Sequence, residues 1–306
     1  MKAAPFMLDD LNRILRAAVL ALMVCVILYR RLSWRGLVPL ERGITAHLVL
    51  QAAGVWMAGQ MSSATLGRAL YHATGRHHLD DLLGAILYMT SCAVLARNML
   101  HRIADDDQDA ARMTWYGVTL PIVGVSIPLT VTAFLSSNVP NSCDMALLDS
   151  VQPDAALRLY WCTVFATICA LAVVTILALR IIATDPVQRH VAQDWQTAQL
   201  IAIAMCAVGA THAALPTLEA TWVLWWWGML GAAAMTAYIS ARGWRRHMRH
   251  TRKLLRATRT SQRELSSDTV ESHRLRIKRP ERPTRRDEGE PTQGDDDGGV
   301  PLQSTH

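Results

Sequence analysis

The chain has 306 residues, a formal charge of +6 and a hydrophobic share of 51%. Its apolar residues fall in blocks of membrane-spanning length, and its charges fall between the blocks and towards the C-terminus, which excludes an ordinary pair of soluble domains. Ten-residue segments of alternating hydrophobicity do not recur, which excludes an outer-membrane barrel.

The pattern predicts an all-α, polytopic transmembrane helix bundle of about seven spans, followed by a disordered cytoplasmic tail. The spans are Leu11–Tyr29, Ile44–Leu66, Asp81–Leu100, Thr114–Leu135, Leu157–Ile181, Trp195–Leu215 and Trp222–Ser240. At 1.5 Å rise per residue each covers a hydrocarbon core of about 30 Å. The first block runs straight into Arg30 and Arg31 without a small-residue cleavage site, so an uncleaved first helix is expected. Arg13 and Arg16 enter that span and are expected to snorkel. Polar residues His47, Gln51 and Gln60 interrupt the second span.

The third span follows "YHATGRHHLDD", which gathers His72, His77, His78, Asp80 and Asp81. Imidazole plus carboxylate suits zinc, so His72, His77, His78 and Asp81 are the metal candidates. Against this, adjacent His77 and His78 cannot both point inward on a regular element. Asp80 and Asp81 are also placed to cap and charge-complement the N-terminus of the third span. The second reading is preferred, and no cofactor is expected.

Pro121 and Pro128 are expected to bend the fourth span, because each removes a backbone donor. Cys143 lies in the following loop, close in sequence to Cys162, so a disulfide between them is open. The other cysteines sit in apolar blocks, where cysteine acts as a small hydrophobe. Small residues in "GATHAA" and "GAAAMTA" are expected to let the sixth and seventh spans approach closely. Trp161, Trp222, Trp225, Trp226 and Trp227 fall at one set of helix ends and Trp115, Trp195 and Trp244 at the other, as an aromatic belt predicts.

Arginine placement sets orientation. Arg30, Arg31, Arg35 and Arg42, then Arg97, Arg102 and Arg112, then Arg180 and Arg189 lie around alternate loops, whereas the long loop from Ser136 to Ala156 has no Lys or Arg. The positive-inside rule then places the N-terminus outside and the C-terminus in the cytoplasm, in a plasma membrane. Residues 1–240 form the bundle, 241–265 a basic juxtamembrane helix, and 266–306 a tail too rich in Pro, Gly, Ser, Asp and Arg to order itself. Within the helix, Arg245, Arg249, Arg252, Arg256 and Arg259 are placed to meet anionic lipid headgroups. A cytoplasmic protein partner ranks second. Nucleic acid ranks last, because the segment lacks aromatic interleaving and the tail is acidic.

The stretch "LGRALYHATGRHHLDDLLGAILYMTSCAVLARNML" resembles a group of actinobacterial seven-helix integral membrane proteins, some of them described as transporters. The resemblance implies the seven-helix count and a bacterial or phage origin. It supplies no catalytic residue. The seventh span has no lysine for a retinal Schiff base and no histidine for a ceramidase-like site, and the chain has no P-loop, GxGxxG or GxSxG. His47, Gln51, Gln60 and His212 form a candidate intramembrane polar site, with plain interhelical hydrogen bonding as the preferred alternative. The sequence thus reads as a non-enzymatic membrane protein acting through interaction: signalling, envelope modulation or, for a phage gene, exclusion of a competing phage. A small-molecule transporter is the alternative, and a metal-dependent membrane hydrolase the second alternative.

Overall fold

The computed structural model describes residues 3–31, 39–59, 62–141, 153–215, 221, 223–246 and 248–249. The chain divides into two units, Met1–Arg249 and His250–His306, and the description concerns the first. The predicted tail, with Arg252, Arg256 and Arg259, lies outside the described residues, as do Gln60 and Cys143.

The described residues are helical. Helix α1 spans Ala3–Tyr29, α2 Pro39–Met57, α3 Arg68–Thr74 and α4 Leu79–Ile103. Helix α5 runs over Asp107–Ser136, α6 over Ala155–Ile182 and α7 over Arg189–Ala214, and residues 223–246 form α8. Five of them, α1 (over Leu11–Tyr29), α4, α5, α6 and α7, are long and apolar enough to cross a membrane. Helix α2 falls short, because Glu41, Arg42, His47 and Gln51 share its 19 residues.

The second span departs most from expectation. Instead of continuing to Leu66, the helix ends at Met57, and the chain resumes as a short i→i+5 turn, Ser63–Gly67, leading into α3. Helix termini leave carbonyls without partners. One of them, Ala58 O, accepts from Arg16 Nη1 at 2.8 Å. The Arg16 guanidinium serves this broken end and lies 4.2 Å from the Trp226 ring centroid. Arg13 is exposed.

Helix α5 carries both prolines. Pro121 sits within an i→i+5 stretch, Trp115–Ser126, and Pro128 opens the regular helix that follows. The wider turn accommodates a ring that would clash with the carbonyl four residues back. Where Asp80 and Asp81 were expected to cap α4, the cap position belongs to His78, in the left-handed region at φ 59°, with no side-chain cap bond. Both aspartates lie in the first turn, where their charge complements the helix dipole, but both are buried and engaged elsewhere.

Helix α2 packs most extensively on α4, and α6 on α7. Glycines permit the first contact. A Cβ on Gly54 would stand 3.0 Å from Gly84 O, and one on Gly84 would stand 3.1 Å from Gly54 O. On the other side, Gly209 of the "GATHAA" stretch of α7 faces Phe165 and Trp225, whereas Gly231 of "GAAAMTA" meets nothing within 4 Å; the close contact of α8 with α7 is at Gly228, which faces Met205. Replacing Gly84 with Val should push α4 off α2 and destabilise the protein by about 1–3 kcal/mol. Gly117→Ala meets nothing within 4 Å and should cost nothing. Thermal unfolding of both variants in detergent checks the contrast.

Candidate functional site

Three polar assemblies lie along the bundle, and α2 runs past all of them. The first surrounds Arg30, which follows the last turn of α1 and is only 1% exposed. Its Nε donates to Thr45 Oγ1 at 3.0 Å, its Nη1 to Ser240 O at 2.8 Å, and its Nη2 to Glu41 O at 3.2 Å and to Glu41 Oε2. The guanidinium carbon also lies 5.2 Å from the Trp244 ring centroid. One side chain thus joins α1, α2 and α8. Burial pushes the Arg30 pKa down, and the Glu41 carboxylate opposes that shift. Arg102 of α4 approaches the other Glu41 oxygen at 3.9 Å, so two guanidiniums share one carboxylate. Asn98, beside Gly43, is buried with its Nδ2 unpartnered among the described residues, as is Nε of Arg102.

The second assembly contains two of the residues singled out from sequence. His47 is 2% exposed, and its Nδ1 stands 2.9 Å from Ser91 O and 2.7 Å from Ser91 Oγ. A carbonyl only accepts, so Nδ1 carries the proton and Nε2 the lone pair. Ser91 Oγ returns a bond to His47 O at 2.7 Å. One turn on, Gln51 Oε1 accepts from Thr236 Oγ1 of α8 at 2.9 Å, and its Nε2 faces the Tyr88 hydroxyl at 3.4 Å. His47 and Gln51 therefore tie α2 to α4 and α8. Such bonds have a steep alternative in apolar surroundings, because a lost partner leaves a buried polar group. His212 does not join them: its Nδ1 lies 3.0 Å from Thr221 Oγ1, near the start of α8.

The third assembly holds the loop of histidines and aspartates. His78 is buried and its Nδ1 lies 3.1 Å from Asp81 Oδ2. Asp80, 1% exposed, accepts from Ser63 Oγ at 2.9 Å. His77 stacks on Tyr71 at 4.1 Å between ring centroids, and His72 is exposed on the other side of that ring. The structure thus separates the three histidines rather than converging them. Among the described residues no group of three His, Cys, Asp or Glu side chains stands close enough together to hold a metal ion.

Asp81 also lines a half-enclosed cavity of about 90 Å³, walled by Tyr88, Tyr160, Trp161, Trp225 and Trp226. Trp161, Trp225 and Phe165 contact one another edge-to-face and stacked, with centroids 5.5–6.0 Å apart. The sequence places these tryptophans at helix ends, as an aromatic belt predicts, and the structure adds that Trp225 faces inward, only 8% exposed. Trp195 and Trp244 are likewise buried, while Trp115 and Trp227 are exposed. Sequence reasoning missed Tyr88, Ser91, Thr236 and Tyr160, whose only signal was polarity within apolar runs. Cys162 is a free, exposed thiol, and Cys206 is buried in the core against which Cys92 and Cys169 pack. Of the basic stripe, Arg245 and Arg249 are described, and both are exposed.

Arg30→Met should leave Glu41 with a partial partner and cost about 3–5 kcal/mol, and adding Glu41→Gln should recover part of that loss. Chemical unfolding in detergent measures both. In the loop, His78→Ala should cost about 1–3 kcal/mol by removing a buried partner of Asp81. His77→Ala should stay within about 1 kcal/mol, since it loses one partly exposed ring contact. Melting temperatures of the two variants check the asymmetry. No family model, curated protein or solved structure matches the chain.

Proposed function

We propose that this is a multi-pass plasma-membrane protein, N-terminus outside and C-terminus in the cytoplasm, that acts through interaction rather than catalysis. The observation that carries the reading is the use made of the deepest polar groups. Arg30, His47, Gln51 and Thr236 are engaged in joining helices to one another. The Arg30 end gathers Arg30 and Arg102, with Arg245 of α8 exposed beyond Ser240, and Arg249 further along the chain exposed as well. An excess of arginine on one side supports a cytoplasmic placement of that end. The segment from Arg245 to Arg259 is the contact surface on this reading, with anionic headgroups the first partner and a cytoplasmic protein the second. The resemblance to actinobacterial seven-helix proteins supports a bacterial or phage setting. The cavity at Asp81 favours a second reading, a small-molecule transporter, because its lining comes from several helices that could move relative to one another.

Orientation and contact have one test. The full chain is reconstituted into nanodiscs of neutral or anionic lipid and treated with trypsin, which cleaves after arginine. The 245–259 segment should be protected in anionic discs at low salt and cleaved in neutral ones. Protection should vanish near 1 M salt, where the Debye length falls to about 3 Å. In sealed membrane vesicles the same sites should be cut only when the cytoplasmic face is outward. Equal cleavage in both lipids moves the protein-partner reading ahead, and cleavage in right-side-out vesicles overturns the orientation.

A further inference from the structure

We propose that the cavity beside Asp81 is a binding site for a small organic ammonium ion carrying an apolar substituent. The walls supply the first argument. Tyr88, Tyr160, Trp161, Trp225 and Trp226 surround the space, and the face of an aromatic ring attracts a cation through its quadrupole. The protein already uses one of these faces in that way, since the Arg16 guanidinium lies 4.2 Å from the Trp226 centroid.

The second argument is charge. Asp81 is the one acidic residue among the described residues of the lining, so a negative charge stands in an otherwise aromatic and aliphatic wall. With the Asp81 carboxylate in its wall the cavity disfavours an anion. A neutral hydrocarbon would cover the Asp81–His78 pair without adding a bond. An ammonium, quaternary or not, gains the attraction of the carboxylate charge and of the indole faces, and both are larger in surroundings that exclude water.

The size fits a small group. A cavity of about 90 Å³ holds a compact cationic head, and because the cavity is only half enclosed an apolar substituent can extend from it. The proposal rests on neither functional reading: binding without flux leaves the interaction reading standing, and binding with flux would supply the transporter's substrate class.

The test uses the purified full chain in nanodiscs and radiolabelled benzyltrimethylammonium, with empty discs as blank. Saturable binding is expected. Neopentylbenzene, the neutral isostere, should displace the label at least about tenfold less well than unlabelled benzyltrimethylammonium, and benzylsulfonate should not displace it. Asp81→Asn, with its fold checked by melting, should weaken binding at least about tenfold, and Asp81→Glu should restore most of it. Val164→Phe, which fills the cavity without touching its charge, should weaken binding as well. Absence of saturable binding, equal displacement by neopentylbenzene, or undiminished binding by folded Asp81→Asn would each overturn the proposal. If Asp81→Asn does not fold, the displacement order in the unmodified chain decides. The trypsin experiment reads a different segment, so either result stands whatever the other gives.

Discussion

Burial of the Arg30 guanidinium fixes more of this structure than any other single contact. Removing a charge from water costs several kcal/mol unless partners replace the lost hydration. Here four hydrogen bonds and an indole face do so, and they come from α2 and α8. Glu41, which balances the charge, is also approached by Arg102 and so extends the contact to α4. Helix α1 has few other means of attachment. Its buried apolar side chains in the core it shares with α2 and α8 are Val19, Met23 and Val26. A second arginine, Arg16, repeats the arrangement four turns earlier, with a bond to α2 and a ring of α8. Two clamps about 21 Å apart along the helix, on the same pair of neighbours, set both its position and its rotation.

The central place of α2 follows from the same constraint. One helix face carries Glu41, Thr45, Leu48, Gln51 and Val55 to partners on α1, α4 and α8. A helix enclosed by others need not be apolar all round, because its polar groups meet protein and not lipid. That is why α2 can carry Glu41, Arg42, His47 and Gln51 and yet lie deep in the packing. Its close approach to α4 at Gly54 and Gly84 brings Ser91 within reach of His47 and Tyr88 near Gln51. The glycine contact and the polar bonds therefore depend on each other.

Much of this was legible in the sequence and some was not. The helical class and five of the long apolar helices follow from block length, because hydrophobic length is a local property; α1, α5 and α7 begin six to eight residues before the predicted spans, since hydropathy marks the apolar part of a helix and not the turns that precede it. The early end of α2 was not legible: nothing near Met57 announces that Arg16, 42 residues away, will take the Ala58 carbonyl. The facing of the tryptophans was not legible for a related reason. Position along a span gives depth but not facing, so Trp161 and Trp225 could not be told apart from belt residues until their neighbours were known. His47 and Gln51 were found by their spacing on one face, but their partners Ser91 and Thr236 lie on other helices. The cavity is a product of several helices and has no signature in any one of them.

Tyr88 links the two functional regions. Its ring lines the cavity beside Asp81, and its hydroxyl faces Gln51, whose other end holds Thr236 of α8. At 3.4 Å the Tyr88–Gln51 contact is the longest bond of that chain, and a long bond loses least when it breaks. A ligand that turns the Tyr88 ring would therefore release Gln51 before it disturbs His47–Ser91 or the Arg30 cluster. Trp225, Trp226, Met229 and Leu230 of α8 line the cavity themselves, so α8 meets that space both directly and through the Tyr88–Gln51–Thr236 chain.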